Sequence, residues 1–341
     1  MRPLFLLSLP RAGSTLVQRV LGAHPEIHTV SEPWLLLPHV YATRHHGIRA
    51  EYWQESACEA IGDFQLTLAG GPDTYRQALR EFALTLYRAA GESEPTYFLD
   101  KTPHYHAIAD DLAELFPDAR FVILWRNPLS VLASLLTTFR DSRFEPYLFD
   151  FDLASGVANL TAFAEHSEGR AHAVRYEDLV GPSGEDHWRA LFAYLDLTFD
   201  ADLLRGYVDV EFQGRYGDMS SWHLRKITSE NRDKWKLSVR GRVRQAWCRR
   251  WLRGIGVAQL RTMGYDLDTL LAELEMVPAR GSGIVDLVHL ATSLAEARVR
   301  AAALSIPDSP RPRGGSYERR RNGSDGGTSG LRHADRRKEV E

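Results

Sequence analysis

The first residues able to do chemistry lie close to the start of the chain. Pro10-Arg11-Ala12-Gly13-Ser14-Thr15 places a guanidinium, a glycine and two hydroxyls within six positions. Residues 4–9 before it form a mostly apolar run of strand length, and Leu16, Val17, Val20 and Leu21 behind it follow helical spacing. A turn from strand into helix aims backbone N–H groups at one point, and the helix N-terminus adds partial positive charge. Gly13 lets the backbone approach a bound anion, Ser14 and Thr15 add donors, and Arg11 adds a permanent forked cation. The segment reads as an anion cradle. The competing reading is an ordinary strand–helix turn in which Ser14 merely caps the helix. No Gly-x-x-x-x-Gly-Lys-Ser/Thr string occurs, which disfavours a magnesium-nucleotide triphosphatase.

The elements that must position this cradle follow along the chain. A short strand at 27–30 leads into Ser31-Glu32-Pro33-Trp34. Residues 39–72 are irregular in pattern and read as a mobile, substrate-facing segment, whereas 73–90 has helical spacing. A strand at 96–99 runs into Asp100-Lys101-Thr102-Pro103, with a helix over roughly 105–116 stopped by Pro117. The strand at 120–125 ends at Arg126-Asn127-Pro128. It is followed by a helix over 129–139, another near 153–166, and a strand at 171–176 ending at Glu177-Asp178. This alternation predicts an α/β fold, a parallel sheet flanked by helices. Charge stands at four of the strand ends: Arg11, Lys101, Arg126 and Glu177/Asp178. Ligands of open parallel sheets bind beyond the carboxyl ends of the strands. Three cations there, each at or one residue from a proline, would converge on a polyanion, although loops are polar in any case.

Composition narrows the classes further. The 341 residues are 44% apolar with eight Trp, ample for a large core, and a formal charge of −3 gives no reason to expect nucleic acid. Cys58 and Cys248 make neither a disulfide framework nor a metal cluster, which fits a reducing compartment. No apolar run reaches membrane-spanning length and no secretory signal is recognisable, so a cytoplasmic location is expected. Past residue 180 the chain reads as helical, with a basic stretch over 225–253 and an amphipathic pattern over 284–304 suited to packing on the body or to a homodimer contact. Residues 1–304 read as one domain. Residues 305–341 carry nine Arg/Lys against six Asp/Glu with few apolar residues, and read as a disordered basic tail.

Taken as an ordered set, these motifs resemble the sulfotransferases that use 3′-phosphoadenosine 5′-phosphosulfate (PAPS), with their nucleotide-kinase-like, P-loop-type fold. Pro10 to Thr15 is similar to their 5′-phosphosulfate loop. Arg126-Asn127-Pro128, with Ser134 eight residues after the arginine, is similar to their 3′-phosphate element. Ala23-His24-Pro25-Glu26 and Ser31-Glu32-Pro33 point to a bacterial branch similar to tyrosylprotein sulfotransferases. The resemblance runs from residue 3 to about 236. It implies donor binding by Arg11, Ala12, Gly13, Ser14, Thr15, Arg126, Ser134 and Tyr176, the last contacting the adenosine. It also implies catalytic roles for Glu32 as general base, for Arg11 and Lys101, and for Ser229 near the phosphosulfate. The histidine that serves as base in cytosolic members is replaced by Pro103, which leaves Glu32 in that role and His104 in reserve. The basic, glycine-rich late loop of the family is not clearly recognisable.

The chemistry implied is transfer of a sulfuryl group to a hydroxyl of a small molecule, glycan or protein. Cations near the breaking bond would favour the transition state, and positioning with electrostatics would supply most of the rate, as in phosphoryl transfer. A sulfuryl group carries less negative charge than a phosphoryl group, so a metal is dispensable, and no metal-ligand spacing is present. A kinase of related fold and an inactive sulfotransferase-like binding protein are the rival expectations. For Glu32 itself the rival is a carboxylate that merely favours a helix start before Pro33.

Overall fold

β1 (Arg2–Ser8) shows how the molecule is layered. Strand side chains alternate between faces, and here both faces are covered: Phe5 and Leu7 enter one apolar cluster, Leu4 and Leu6 another, all fully buried. The computed structural model describes residues 1–44, 54–90, 95–167, 169–210, 227, 232–281 and 283–304. It adds β2 (Ile27–Thr29), β3 (Tyr97–Asp100), β4 (Arg120–Trp125) and β5 (Ala171–Arg175). β4 divides Phe121, Ile123 and Trp125 from Val122 and Leu124 in the same way. Near-continuous apolar runs are therefore the mark of parallel strands covered on both sides.

The order is β2-β3-β1-β4-β5, and every neighbouring pair is parallel. The chain leaves β1 for β2 and β3 on one side and later adds β4 and β5 on the other. The carboxyl end of β1 is thus a topological switch point, where open α/β sheets bind their ligands. The α/β, P-loop-like architecture read from the sequence is the one observed.

The helices preceding and interleaving the later strands are α1 (Ser14–Gly22), α2 (Leu36–Tyr41), α3 (Gln54–Thr67), α4 (Pro72–Ala89), α5 (Ala109–Leu115), α6 (Pro128–Arg140) and α7 (Val157–His166). After β5 come α8 (Tyr176–Leu179), α9 (Gly184–Tyr194), α10 (Leu203–Gly206), α11 (Trp235–Ser238), α12 (Arg242–Ile255), α13 (Val257–Thr262), α14 (Leu267–Glu275) and α15 (Ile284–Leu304). α6 starts as its residues dictate: Pro128 occupies the first turn, and the Asn127 Oδ1 accepts the Leu129 N–H at 2.9 Å.

Several local expectations change. The segment 39–72, read as irregular, contains the second half of α2 and all of α3; α3 leaves Phe64 and Leu66 exposed, so its apolar residues do not trace a buried stripe. The helix read over 105–116 is a 3₁₀ turn, Pro103–Ile108, followed by α5. The tighter winding, with the Tyr105 N–H on the Thr102 carbonyl at 3.0 Å, keeps Tyr105 beside the end of β3. The helix near 153–166 begins with a π turn, Phe151–Gly156, in which Gly156 lies so close to Leu9 that an added Cβ would stand 2.7 Å from its Cδ2. α15 buries Ser293 and leaves Ile284, Val285, Leu287 and Val288 exposed. Cys58 and Cys248 are both free and buried. Among the described residues no helix is long and apolar enough to cross a membrane.

Candidate active site

The turn after β1 is set by two residues in left-handed conformation, Arg11 at φ 66° and Gly13 at φ 95°. Gly13 is obligatory on two counts. Side chains other than glycine rarely adopt that φ, and a Cβ there would stand 2.5 Å from the Tyr176 ring. Gly13, not Ser14, is the cap residue of α1, and no side-chain cap bond forms. The reading of Ser14 as a capping residue is thereby removed. The Ala12 N–H is used within the turn, on the Leu9 carbonyl at 3.2 Å. The Ser14 and Thr15 amides, at the head of α1, have no intrahelical carbonyl to bond, and their residues are nearly buried.

Arg11, Arg126, Ser134 and Tyr176 come together although they lie on four different elements. Arg11 Nε donates to Ser134 Oγ at 3.1 Å. Arg126 Nη1 donates to the Arg11 carbonyl at 2.9 Å, and its guanidinium lies over the Tyr176 ring at 4.6 Å. Arg126 Nε is buried without a partner among the described residues. Burial pushes the Tyr176 phenol up, more than the nearby Arg126 lowers it, so the ring stays neutral beside the cation. The turn holding Arg126 is itself anchored by Glu177. Its Oε1 accepts the Asn127 N–H at 2.9 Å, and its Oε2 accepts the Tyr265 hydroxyl at 2.6 Å. The carboxylates read at the end of β5 therefore support this cluster rather than repel an anion: Asp178 pairs with Arg175 at 2.7 Å.

A second cluster stands at the carboxyl ends of β2 and β3. Lys101 Nζ and Glu32 Oε1 are 2.5 Å apart, their side chains 1% and 11% exposed. Glu32 thus faces a cation and lies four residues ahead of α2, so the helix-start reading does not describe it. Its loop carries Trp34 at φ 54° and docks on Thr102 and Tyr105. His104 lies against the Trp34 ring at 5.0 Å, and both His104 and His106 place Nε2 3.4 Å from Asp152 Oδ1 in the π turn. Burial pushes the Asp152 carboxyl up, but bonds from the two imidazoles outweigh it and hold the group below its usual value. Ser31 Oγ, Trp34 Nε1 and His104 Nδ1 are buried polar atoms without a partner among the described residues.

Ser229 lies outside the described residues. The segment after it returns to the site, with Ser130 Oγ donating to the Arg232 carbonyl at 3.4 Å and Trp235 fully buried. Among the described residues no group of three or more His, Cys, Asp or Glu is arranged to hold a metal ion. Sequence reading passed over Asp100, Tyr87 and Tyr105, which form a buried cluster directly behind Lys101. A signal was present: a carboxylate closing an otherwise apolar, fully covered strand is a residue type almost never buried unless paired.

Residues 3–201 match the sulfotransferase family. The chain is 30% identical over 312 residues to nodulation protein NoeE of Sinorhizobium fredii (strain NBRC 101917 / NGR234), covering 83% of this chain and 68% of that protein. It is 30% identical over 135 residues to protein-tyrosine sulfotransferase 1 of Mus musculus, covering 39% of this chain and 34% of that one, so the match spans about a third of that relative's length. The sulfotransferase domain of the Synechococcus PCC 7002 olefin synthase aligns at 24% identity and a TM-score of 0.49, over 69% of this chain and 87% of that domain.

Proposed function

The chain belongs to the sulfotransferase family, and from that premise we propose that it moves the sulfuryl group of PAPS to an acceptor hydroxyl, with Glu32 as general base. One observation carries this reading: a buried carboxylate–ammonium pair, Glu32–Lys101, at the same sheet edge as the Arg11–Arg126 cradle.

The chain's residues fit such a donor. Amides at the head of α1 outside its intrahelical bonding, the two hydroxyls beside them and an arginine whose Nε has no partner among the described residues make an anion site. In this reading Arg126 and Ser134 hold the 3′-phosphate and Tyr176 contacts the adenosine. The turn from Arg11 to Thr15 takes the phosphosulfate, with Arg11 adding charge from the donor side. Ser229 is proposed beside it.

The Glu32–Lys101 pair then does the chemistry. Glu32 accepts the proton of the attacking hydroxyl, a contribution typically worth ~10²–10⁴-fold. Once protonated, Glu32 no longer neutralises Lys101. The ammonium is released to meet the charge growing on the leaving phosphate oxygen as the new O–S bond forms and the old one breaks. Trp34 and His104 flank the base; among the described residues Trp34 Nε1 and His104 Nδ1 have no partner, and with His104 Nε2 donating to Asp152 the first is a donor and the second an acceptor that a substrate could use. The acceptor class is a hydroxyl on a small molecule, glycan or protein, and the name of the mouse relative puts tyrosine peptides in the panel.

The test has two arms. 3′-Phosphoadenosine 5′-phosphate (PAP) should raise the melting temperature, and label from PAPS should move to at least one acceptor among phenols, alcohols, sugars and tyrosine peptides. Stabilisation by ATP with Mg²⁺ alone, and none by PAP, would overturn the reading in favour of a kinase.

A further inference from the structure

Directly behind Lys101, the Asp100 side chain is fully buried in a carboxylate–hydroxyl cluster for which the transfer chemistry above has no use. Tyr87, from α4, donates its hydroxyl to Oδ2 at 2.6 Å; Tyr105 donates to the same oxygen at 3.1 Å; Thr102 donates to Oδ1 at 3.3 Å. Two of these hydroxyls also accept. The Trp34 N–H bonds Thr102 Oγ1 at 3.2 Å, and the Leu36 N–H bonds the Tyr105 oxygen at 3.0 Å. Trp34 and Leu36 lie two and four residues beyond Glu32, at the end of the loop that presents it.

The proton count makes the arrangement directional. A hydroxyl has one proton to give. An ionised carboxylate can only accept, so it draws the protons of Thr102 and Tyr105 inward and turns their lone pairs outward to the loop amides. A neutral amide in its place would donate to one of these oxygens, and the displaced hydroxyl proton would then oppose a loop N–H. The carboxylate therefore decides whether the Glu32 loop has two acceptors or fewer. Trp34 holds a left-handed φ of 54°, which a non-glycine residue keeps only when its surroundings impose it. The Trp34 N–H bond to Thr102 is one such constraint.

We infer that Asp100, acting through Thr102 and Tyr105, is a positioning residue that seats the Glu32 loop against Lys101. The inference rests on the proposed role of Glu32. It places the brace on the acceptor side of the site, away from Arg11, Arg126, Ser134 and Tyr176, so it should act on turnover and leave donor binding alone.

The test uses the full chain and four variants: Asp100→Asn, Thr102→Val, Thr102→Ser and Tyr105→Phe. Amide exchange is read by NMR and PAP affinity by calorimetry. The kcat is read with PAPS and whichever panel acceptor the wild type sulfates fastest. Thr102→Val should speed exchange at Trp34, and Tyr105→Phe should speed it at Leu36. Each should lower kcat by roughly 10- to 100-fold, the scale of a small misplacement at a reacting centre, with PAP affinity unchanged. Thr102→Ser, which restores the hydroxyl, should recover both readouts. Asp100→Asn should reproduce one of the two defects, at whichever hydroxyl the amide NH2 faces, and if it fails to fold the other variants still decide. Wild-type exchange at Trp34 and Leu36 in Thr102→Val and Tyr105→Phe overturns the inference, as does an equal loss of PAP affinity and kcat. Faster exchange in the variants, from a wild-type chain that transfers nothing from PAPS, supports the brace and rejects the transfer reading instead.

Discussion

The two halves of the candidate site hold their charges in opposite ways. On the proposed donor side, the bonds described for Arg126 are a backbone carbonyl and an aromatic face, and its Nε has no partner among the described residues. Nothing in that set neutralises it, so its charge remains available to an anion. On the other side Lys101 is matched by Glu32 at 2.5 Å and backed by the buried Asp100. A buried ion pair is weak evidence of stability, because desolvation offsets much of the attraction. It does give a charge that can be switched, since protonating the carboxylate ends its neutralisation of the ammonium. In the proposed reading the donor half holds a ligand and the Glu32 half changes state. Neither half borrows the other's residues, and this separation can be attacked experimentally.

The largest expected effect comes from Glu32→Gln, which keeps the shape and removes the proposed base. Turnover should fall by ~10²–10⁴-fold while PAP binds as before in calorimetry. A collapse of PAP affinity would show that the halves are coupled. Arg126→Ala should do the reverse. Losing hydrogen bonds from a charged group is worth about 1.5–3 kcal/mol, so PAP affinity should drop by roughly 10- to 100-fold, with kcat at saturating PAPS much less affected.

Gly13→Ala attacks the donor half through its backbone. A left-handed φ and a Cβ 2.5 Å from Tyr176 should destabilise the fold by about 1–3 kcal/mol, visible as a lower midpoint in denaturant and weaker PAP binding. A smaller signal distinguishes the Glu32 half. Burial pushes the Asp100 carboxyl from 3.8 to about 6, despite hydroxyl bonds and Lys101 pulling it down. Between those values the folded chain keeps a proton that the unfolded chain has released. This group's stabilising contribution is therefore complete below about pH 4 and is lost as pH rises through about 6. The melting temperature of the wild type relative to Asp100→Asn should fall across that window; a flat difference would remove the buried, titrating carboxylate. Removal of 305–341 should have the smallest effect, because every described residue of both halves precedes it: PAP affinity and melting temperature should not move.

Much of the Arg11–Arg126 cluster was legible in the residues. Apolar runs such as Leu4-Phe5-Leu6-Leu7 mark doubly covered strands, and a parallel sheet brings every strand end to one edge. Arg11 and Arg126 could therefore be placed together, and Ser134, two turns into α6, is on the same site. α3 was missed because its exposed Phe64 and Leu66 break the stripe from which helices are read. The 3₁₀ and π turns were missed because both are set by contacts made elsewhere, at Asp100 and at Leu9.

By itself the sequence determined which residues close each strand, and so which charges gather at the carboxyl edge. Strand length, alternation and proline placement are local properties, and parallel pairing converts them into proximity. Only the tertiary structure decided how those charges are partnered. Lys101 on Glu32, Glu177 under the Arg126 turn and Asp100 behind the Glu32 loop join residues 50 or more positions apart or on separate elements. The physical reason is that a buried ionic or hydroxyl bond depends on direction to within a few tenths of an ångström. That direction is set by sheet register and loop docking, which no stretch of chain contains alone.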